Sequence, residues 1–327
     1  MSREIFVWLV AIVFVTAPSV AHGQQATKPP HIGFLFVSAL SSNSARIEAF
    51  RQGLRDLGYV EGKNIAIEWR SADGKPDRVP ALAAELTHLK IDLLVTAGPA
   101  ATRPAKEGTA TVPIVMAQDT DPVGNGFVAS LAQPGGNITG LSTLSPELSG
   151  KQLELLKEIV PQLSRMAVLG ISTRPGNAQA LKEMELAAAA FKVQLEYLDV
   201  LDVKDIEPAF RAANKKHVNA ILMLGNPIAT SHRKRIIELA IKNRLPAIYD
   251  RPEFVEDEGL MTYAVSQNDL YRRAAPYVDK ILKGAKPADL PVQQATKFEF
   301  VINLKAAKQI GLTIPPNVLA RADRMIR

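Results

Sequence analysis

Short apolar runs of strand length alternate with segments of helical period along almost the whole chain, and the alternation starts over near its middle. Ile32 to Val37 reads as a buried strand, and Ile47, Phe50, Leu54 and Leu57 then fall at helical spacing, with Gly58 placed to end the helix. Ile65, Ile67 and Trp69 alternate at strand period. Val79, Leu82, Ala83 and Leu86 return to helical period, and Ile91 to Thr96 is a compact apolar run ending at Ala97-Gly98-Pro99. A short helix to about Gly108 and a strand over Pro113 to Gln118 follow. Such a βαβα order argues for a parallel sheet covered by helices on both faces.

The turn-forming run Gln133-Pro134-Gly135-Gly136-Asn137 closes this first unit. Ile138 to Leu144 reads as extended and is placed to cross to a second unit. There Leu153, Leu156, Ile159 and Val160 mark a helix opened near Ser149, and Met166 to Ile171 a strand. Asn177 to Phe191 is an Ala-rich helix with Asn177 as its cap. Strands are expected over Val193 to Leu198, Ala220 to Leu224, Ala247 to Tyr249 and Leu260 to Tyr263. Helices are expected over Ile206 to Ala213, Ser231 to Asn243 and Leu270 to Leu282. After Gly284 the prolines 287, 291, 315 and 316 break the pattern, so the tail is expected to wrap across the two units without forming a third. The 327 residues suit two domains at about 150 residues each.

The first 21 residues have the layout of a secretory signal peptide. Arg3 supplies a positive start, Ile5 to Ala17 an almost unbroken apolar run, Pro18 a break, and Ser19-Val20-Ala21 small residues at cleavage-site spacing. The run is shorter than the ~20 residues that span a bilayer, which argues against an uncleaved anchor. The expectation is a free periplasmic protein. The chain has no cysteine, which removes disulfides, thiolate metal sites, Cys nucleophiles and a lipidated N-terminal Cys together. Its net charge of +6 raises the question of nucleic acid. The basic residues are nonetheless interleaved with acidic ones, and the densest cluster, His232-Arg233-Lys234-Arg235, lies on an expected helix as a solvated face. No nucleic-acid partner is expected.

In open parallel sheets ligands bind outside the carboxyl ends of the strands, and those ends carry usable chemistry here. The first strand runs into a loop from Ser38 to Asn43 that includes Ser42. The third runs into Gly98-Pro99-Ala100, where a glycine allows close backbone approach and a proline opens a helix whose free N–H groups can hold a carboxylate. The fourth runs into Asp119-Thr120-Asp121. In the second unit the corresponding ends are Ser172-Thr173-Arg174, Gly225-Asn226-Pro227 and Tyr249-Asp250-Arg251. This mix suits a small zwitterion, with N–H and hydroxyl groups on its carboxylate and Asp250 on its ammonium. Asp119 and Asp121 are equally suited to a rigid turn before Pro122, and Arg174 to pairing at the surface.

Motifs for catalysis are missing. There is no G-x-G-x-x-G, no G-x-x-x-x-G-K-[ST] and no G-x-S-x-G. The five histidines are scattered, so neither a metal nor another cofactor is expected.

Several stretches resemble the periplasmic substrate-binding components of bacterial ABC transporters, in the subgroup that resembles tryptophan/tyrosine-binding proteins. They are Gly58 to Asn64, Pro80 to Leu86, Pro134 to Gly140, Leu153 to Glu158, Leu245 to Tyr249, and, most specifically, Phe298 to Lys305 with Gly311 to Pro315. The resemblance implies the type I periplasmic binding protein fold, two Rossmann-like α/β lobes with parallel sheets joined by a multi-strand hinge. Lobe I would take residues 31–142 and about 266–290, lobe II residues 143–265, and residues 291–327 would wrap across both. It further implies a monomeric receptor for an amino acid or aromatic acid, with a permease and an ATPase as partners. A periplasmic sensing module of the same fold is the alternative. By strand order, the ligand carboxylate would fall at Gly98 to Ala100 and Asp119-Thr120, and the ammonium at Asp250. Ser38, Ser42, Thr173, Asn226 and Tyr249 complete the expected site. The loop after the first strand departs from the subgroup in offering only Ser and Asn where relatives show aromatic or acidic residues.

Overall fold

The computed structural model describes residues 29–143, 146–173 and 175–327. Residues 1–28, with the expected signal segment, and Leu144, Ser145 and Arg174 lie outside the described residues. The chain builds two α/β sheets. The first contains β1 (His31–Phe36), β2 (Ala66–Ser71), β3 (Leu93–Ala97), β4 (Ile114–Gln118) and β5 (Ile138–Ser142), connected through α1 (Ser44–Asp56), α2 (Val79–His88) and α3 (Pro99–Gly108). The chain then crosses over through α4 (Pro146–Ile159) to β6 (Arg165–Gly170), α5 (Pro175–Phe191), β7 (Gln194–Asp199), α6 (Ile206–Lys215) and β8 (Ala220–Met223). It continues through α7 (Pro227–Ser231), α8 (Arg233–Lys242), β9 (Ala247–Tyr249), α9 (Pro252–Glu256) and β10 (Met261–Val265). It returns to the first sheet with α10 (Gln267–Leu282) and β11 (Gln293–Gln294). It ends in the second with β12 (Phe298–Asn303), α11 (Leu304–Gln309), α12 (Pro316–Leu319) and β13 (Arg324–Ile326).

The strand orders are β11-β5-β4-β3-β1-β2 and β13-β12-β10-β9-β8-β6-β7. All pairings are parallel except β10 with β12, in which Tyr263 faces Phe300. The chain therefore passes between the sheets three times, after β5, after β10 and after β11, and these passages form the hinge. The tail contributes strands to both sheets, β11 to the first and β12 and β13 to the second. The alternation in Phe298 to Asn303 is the reason, since Phe300 and Ile302 are buried in the core of the second sheet.

Each sheet is buried on both faces, as parallel sheets require. Along β1, Phe34 and Phe36 point to one side and Leu35 to the other. Phe34 stacks on Trp69 of β2 at 5.0 Å and on Tyr271 of α10 at 5.9 Å. Full burial of each such side chain contributes about 1.5–3 kcal/mol. Gly53 lets α1 press against α10, because a Cβ there would lie 2.4 Å from the carbonyl oxygen of Arg272. α5 starts two residues before Asn177, which is therefore no cap. Its amide instead donates to the Ile171 carbonyl at 3.3 Å. The basic cluster at 232–235 is tied down by ion pairs, Arg233 to Asp257 at 2.6 Å and Arg235 to Glu207 and Glu238.

Candidate functional site

The carboxyl ends of both sheets face each other across a cleft of about 530 Å³, within the range of small-molecule pockets. Lobe I contributes the ends of β1, β3 and β4 and the start of α10. Lobe II contributes the starts of α4 and α5 and the ends of β8 and β9. Of the expected residues, Ser38, Gly98, Pro99, Ala100, Asp119, Thr120, Asn226 and Asp250 line the cleft.

The β3–α3 junction is shaped to receive an anion. Gly98 has φ +91° and ψ 169°, a conformation that glycine adopts and other residues avoid. Thr102 locks this turn from behind, with its hydroxyl donating to the Gly98 carbonyl at 3.0 Å and sharing a hydrogen bond with Thr96 at 2.8 Å. Pro99 has no N–H, and the Ala100 amide has no partner among the described residues. That amide sits at the positive end of α3. Beside it the Gln118 amide lies close to Gly98.

Opposite, Asp250 carries the complementary charge. Its Oδ2 accepts from Arg251 Nε at 3.1 Å. Its Oδ1 is buried and has no hydrogen-bond partner among the described residues. A buried carboxylate oxygen without a donor is costly, by roughly 1–3 kcal/mol or more, and a ligand ammonium would supply the donor. Gln267 presents a second buried, unpartnered oxygen on the lobe I side. Arg251, which the sequence placed only at a strand end, also lines the cleft. The Asp250 carboxylate beside it, and Glu253 behind it, push its pKa further up.

Asp119 and Asn226 lie at the cleft but their side chains also organise backbone. Asp119 Oδ1 accepts from the Asp121 amide at 2.9 Å and from Asn125 Nδ2 at 2.8 Å, and Asp121 Oδ1 accepts from the Gly124 amide at 2.9 Å. The rigid-turn reading of this pair thus has a structural counterpart. Asn226 caps α7 through the amides of Ile228 and Ala229 at 2.9 and 3.1 Å and donates to the Val200 carbonyl at 3.0 Å.

Three expected residues stand elsewhere. Tyr249 is 1% exposed, its ring stacked on Phe254 at 4.6 Å in the core behind the sheet. Burial pushes its hydroxyl pKa well up. The last residue of β9 faces the helix layer, so it is Asp250, one position on, that reaches the cleft. Ser42 is exposed in the turn over Leu40–Asn43, and Thr173 is exposed in the turn after β6. Neither lines the cleft. Residues that the sequence did not single out, Gln267 at the start of α10 and Gln152 in α4, border it because both helices begin at hinge crossings. Gln152 donates to the Tyr263 carbonyl at 2.8 Å.

The lobes also touch outside the cleft. Arg46 on α1 pairs with Glu253 on α9 at 2.6 Å, the one ion pair between lobes among the described residues. Burial raises the Glu253 pKa, but the Arg46 and Arg251 guanidiniums outweigh it and hold the group below the usual carboxylate range.

Two hinged α/β lobes that hold a polar cleft between their strand ends define a ligand-binding protein of the type I periplasmic class. A sequence model of the family "ABC transporter substrate binding protein" matches residues 35–326. The chain belongs to that family, and it is accordingly a solute-binding protein of an ABC transporter and not an enzyme. Among its relatives is a tyrosine-binding protein of Clostridioides difficile, 24% identical over 266 residues that cover 81% of this chain and 76% of that one. A conserved domain protein of Vibrio cholerae has a crystal structure that superposes with a TM-score of 0.81 at 30% identity, covering 91% of this chain and all of that one. A Streptococcus pneumonia ABC domain in complex with L-Trp gives the same TM-score and coverage at 27% identity.

Proposed function

We propose that the protein captures a small amino acid in the inter-lobe cleft, in the periplasm, and delivers it to the permease of an ABC importer. The observation that carries the reading is the pair of unsatisfied groups on opposite lobes: the Ala100 amide for a carboxylate, and Asp250 Oδ1 for an ammonium. Tyrosine and L-Trp, the ligands of the two relatives described above, are of the same zwitterionic class. A bound solute would bridge the lobes and favour the closed form that a permease recognises.

The test is a thermal-shift and calorimetric screen of the purified mature chain against the common amino acids. A solute at 100 times its Kd adds about 2.7 kcal/mol to stability, an easily read rise in Tm. Asp250→Ala should weaken binding by roughly 10- to 100-fold, since hydrogen bonds to charged groups are worth about 1.5–3 kcal/mol. If no amino acid raises the Tm, or if Asp250→Ala binds as the parent does, the zwitterion reading is wrong.

A further inference from the structure

We infer that the side chain of the bound amino acid is aliphatic, not aromatic; this rests on the amino-acid reading above. Every ring from residue 29 onward is packed into one of the cores of the two sheets, except Phe191, which is exposed on α5 far along the chain from any cleft-lining position. None lines the cleft. The residues outside the description in that stretch, Leu144, Ser145 and Arg174, carry no ring either.

The apolar walls of the cleft are instead Val37, Leu148 and Ala180, with the nearly buried Val265 and Leu224 beneath them. They are short or branched chains, and they are interrupted by the amides of Gln118, Gln152 and Asn177. A flat indole or phenol has no face to stack on here, and aromatic pairing contributes up to roughly tenfold in affinity beyond buried area. Laid across these walls, a large ring would also cover the Gln118 amide, which needs polar partners, a loss that discriminates against it. A compact branched or thioether side chain covers one apolar facet and leaves the amides wetted. The preference is therefore set by Val37, Leu148 and Ala180 and by the absence of an aromatic ring among their neighbours.

The experiment is calorimetric titration of the purified mature chain, freed of co-purifying solute by unfolding and refolding, with leucine, isoleucine, methionine, phenylalanine, tyrosine, tryptophan and glutamine. The expected result is the lowest Kd for one of the three aliphatic or thioether amino acids, with tyrosine and tryptophan weaker by about threefold or more. A lowest Kd for tryptophan, tyrosine or phenylalanine overturns the inference and leaves the amino-acid receptor standing. A lowest Kd for glutamine overturns it too, by showing that the amides and not the apolar walls select. Binding of none of the seven overturns both the inference and the reading on which it rests.

Discussion

The ion pair between Arg46 and Glu253 joins residues 207 positions apart on the two lobes, so a motion that parts the lobes would break it. Their side chains are 18% and 34% exposed, neither free surface nor interior. At an effective dielectric of about 20 the bare attraction of such a pair is about 4 kcal/mol. Desolvation and the ordering of two long side chains offset most of it. Exposed pairs retain about 0.2–1 kcal/mol, and breaking buried ones costs about 3–5 kcal/mol, so about 1–2 kcal/mol is expected here. Where the free protein is mostly open, this whole amount appears in the ligand affinity. Arg46→Ala and Glu253→Gln should each raise Kd by roughly 5- to 30-fold. The double variant should be no worse than the poorer single one, because both remove the same contact. Small-angle scattering should show the ligand-bound variants less fully closed. The Glu253 pKa is lowered in the closed form, so its contribution is complete above the ordinary carboxylate value of 4.5 and is lost as pH falls through the depressed value. Affinity should fall more steeply on that acid limb in the parent than in Glu253→Gln. Unchanged Kd values in both single variants, with unchanged scattering, would refute the reasoning.

Other substitutions separate the cleft from the scaffold. Gly98→Ala forces a side chain onto a backbone conformation reserved for glycine, and should lower stability by about 1–3 kcal/mol and ligand affinity with it, as read by chemical denaturation and calorimetry. Gly53→Ala drives a methyl group into the α10 backbone and should destabilise by about 1–3 kcal/mol while leaving the Kd of the folded protein unchanged. Asn226→Ala removes the cap of α7 and the donor to the Val200 carbonyl, and should lower stability by roughly 1–3 kcal/mol in a denaturant titration.

The alternation of strand and helix was legible because it is local: a strand of a parallel sheet is a short apolar run, and the helix that returns the chain has its own period. It followed that the residues after each strand would meet at one edge, and Gly98 and Asp250 could be named from that alone. The tail was harder. Its prolines resemble the end of a domain, and the alternation of Phe298 to Asn303 does not say which sheet will accept it. Only the packed core of the second sheet decides that β12 pairs antiparallel beside β10. Tyr249 fails for a related reason. All of β9 is buried on both faces, so alternation cannot tell which side of the sheet a residue takes. The register of β9 with β8 turns the ring toward Phe254 and gives the cleft to the next residue.

The sequence by itself determined the two α/β units, the edge on which they bind and the chemical character of that edge, since each of these follows from short-range pattern and composition. The tertiary structure alone decided which groups are left without partners there, that Arg46 meets Glu253, and that no aromatic ring from residue 29 onward lines the cleft. Those are properties of side chains brought together from distant parts of the chain, and only the folded packing fixes which of them meet.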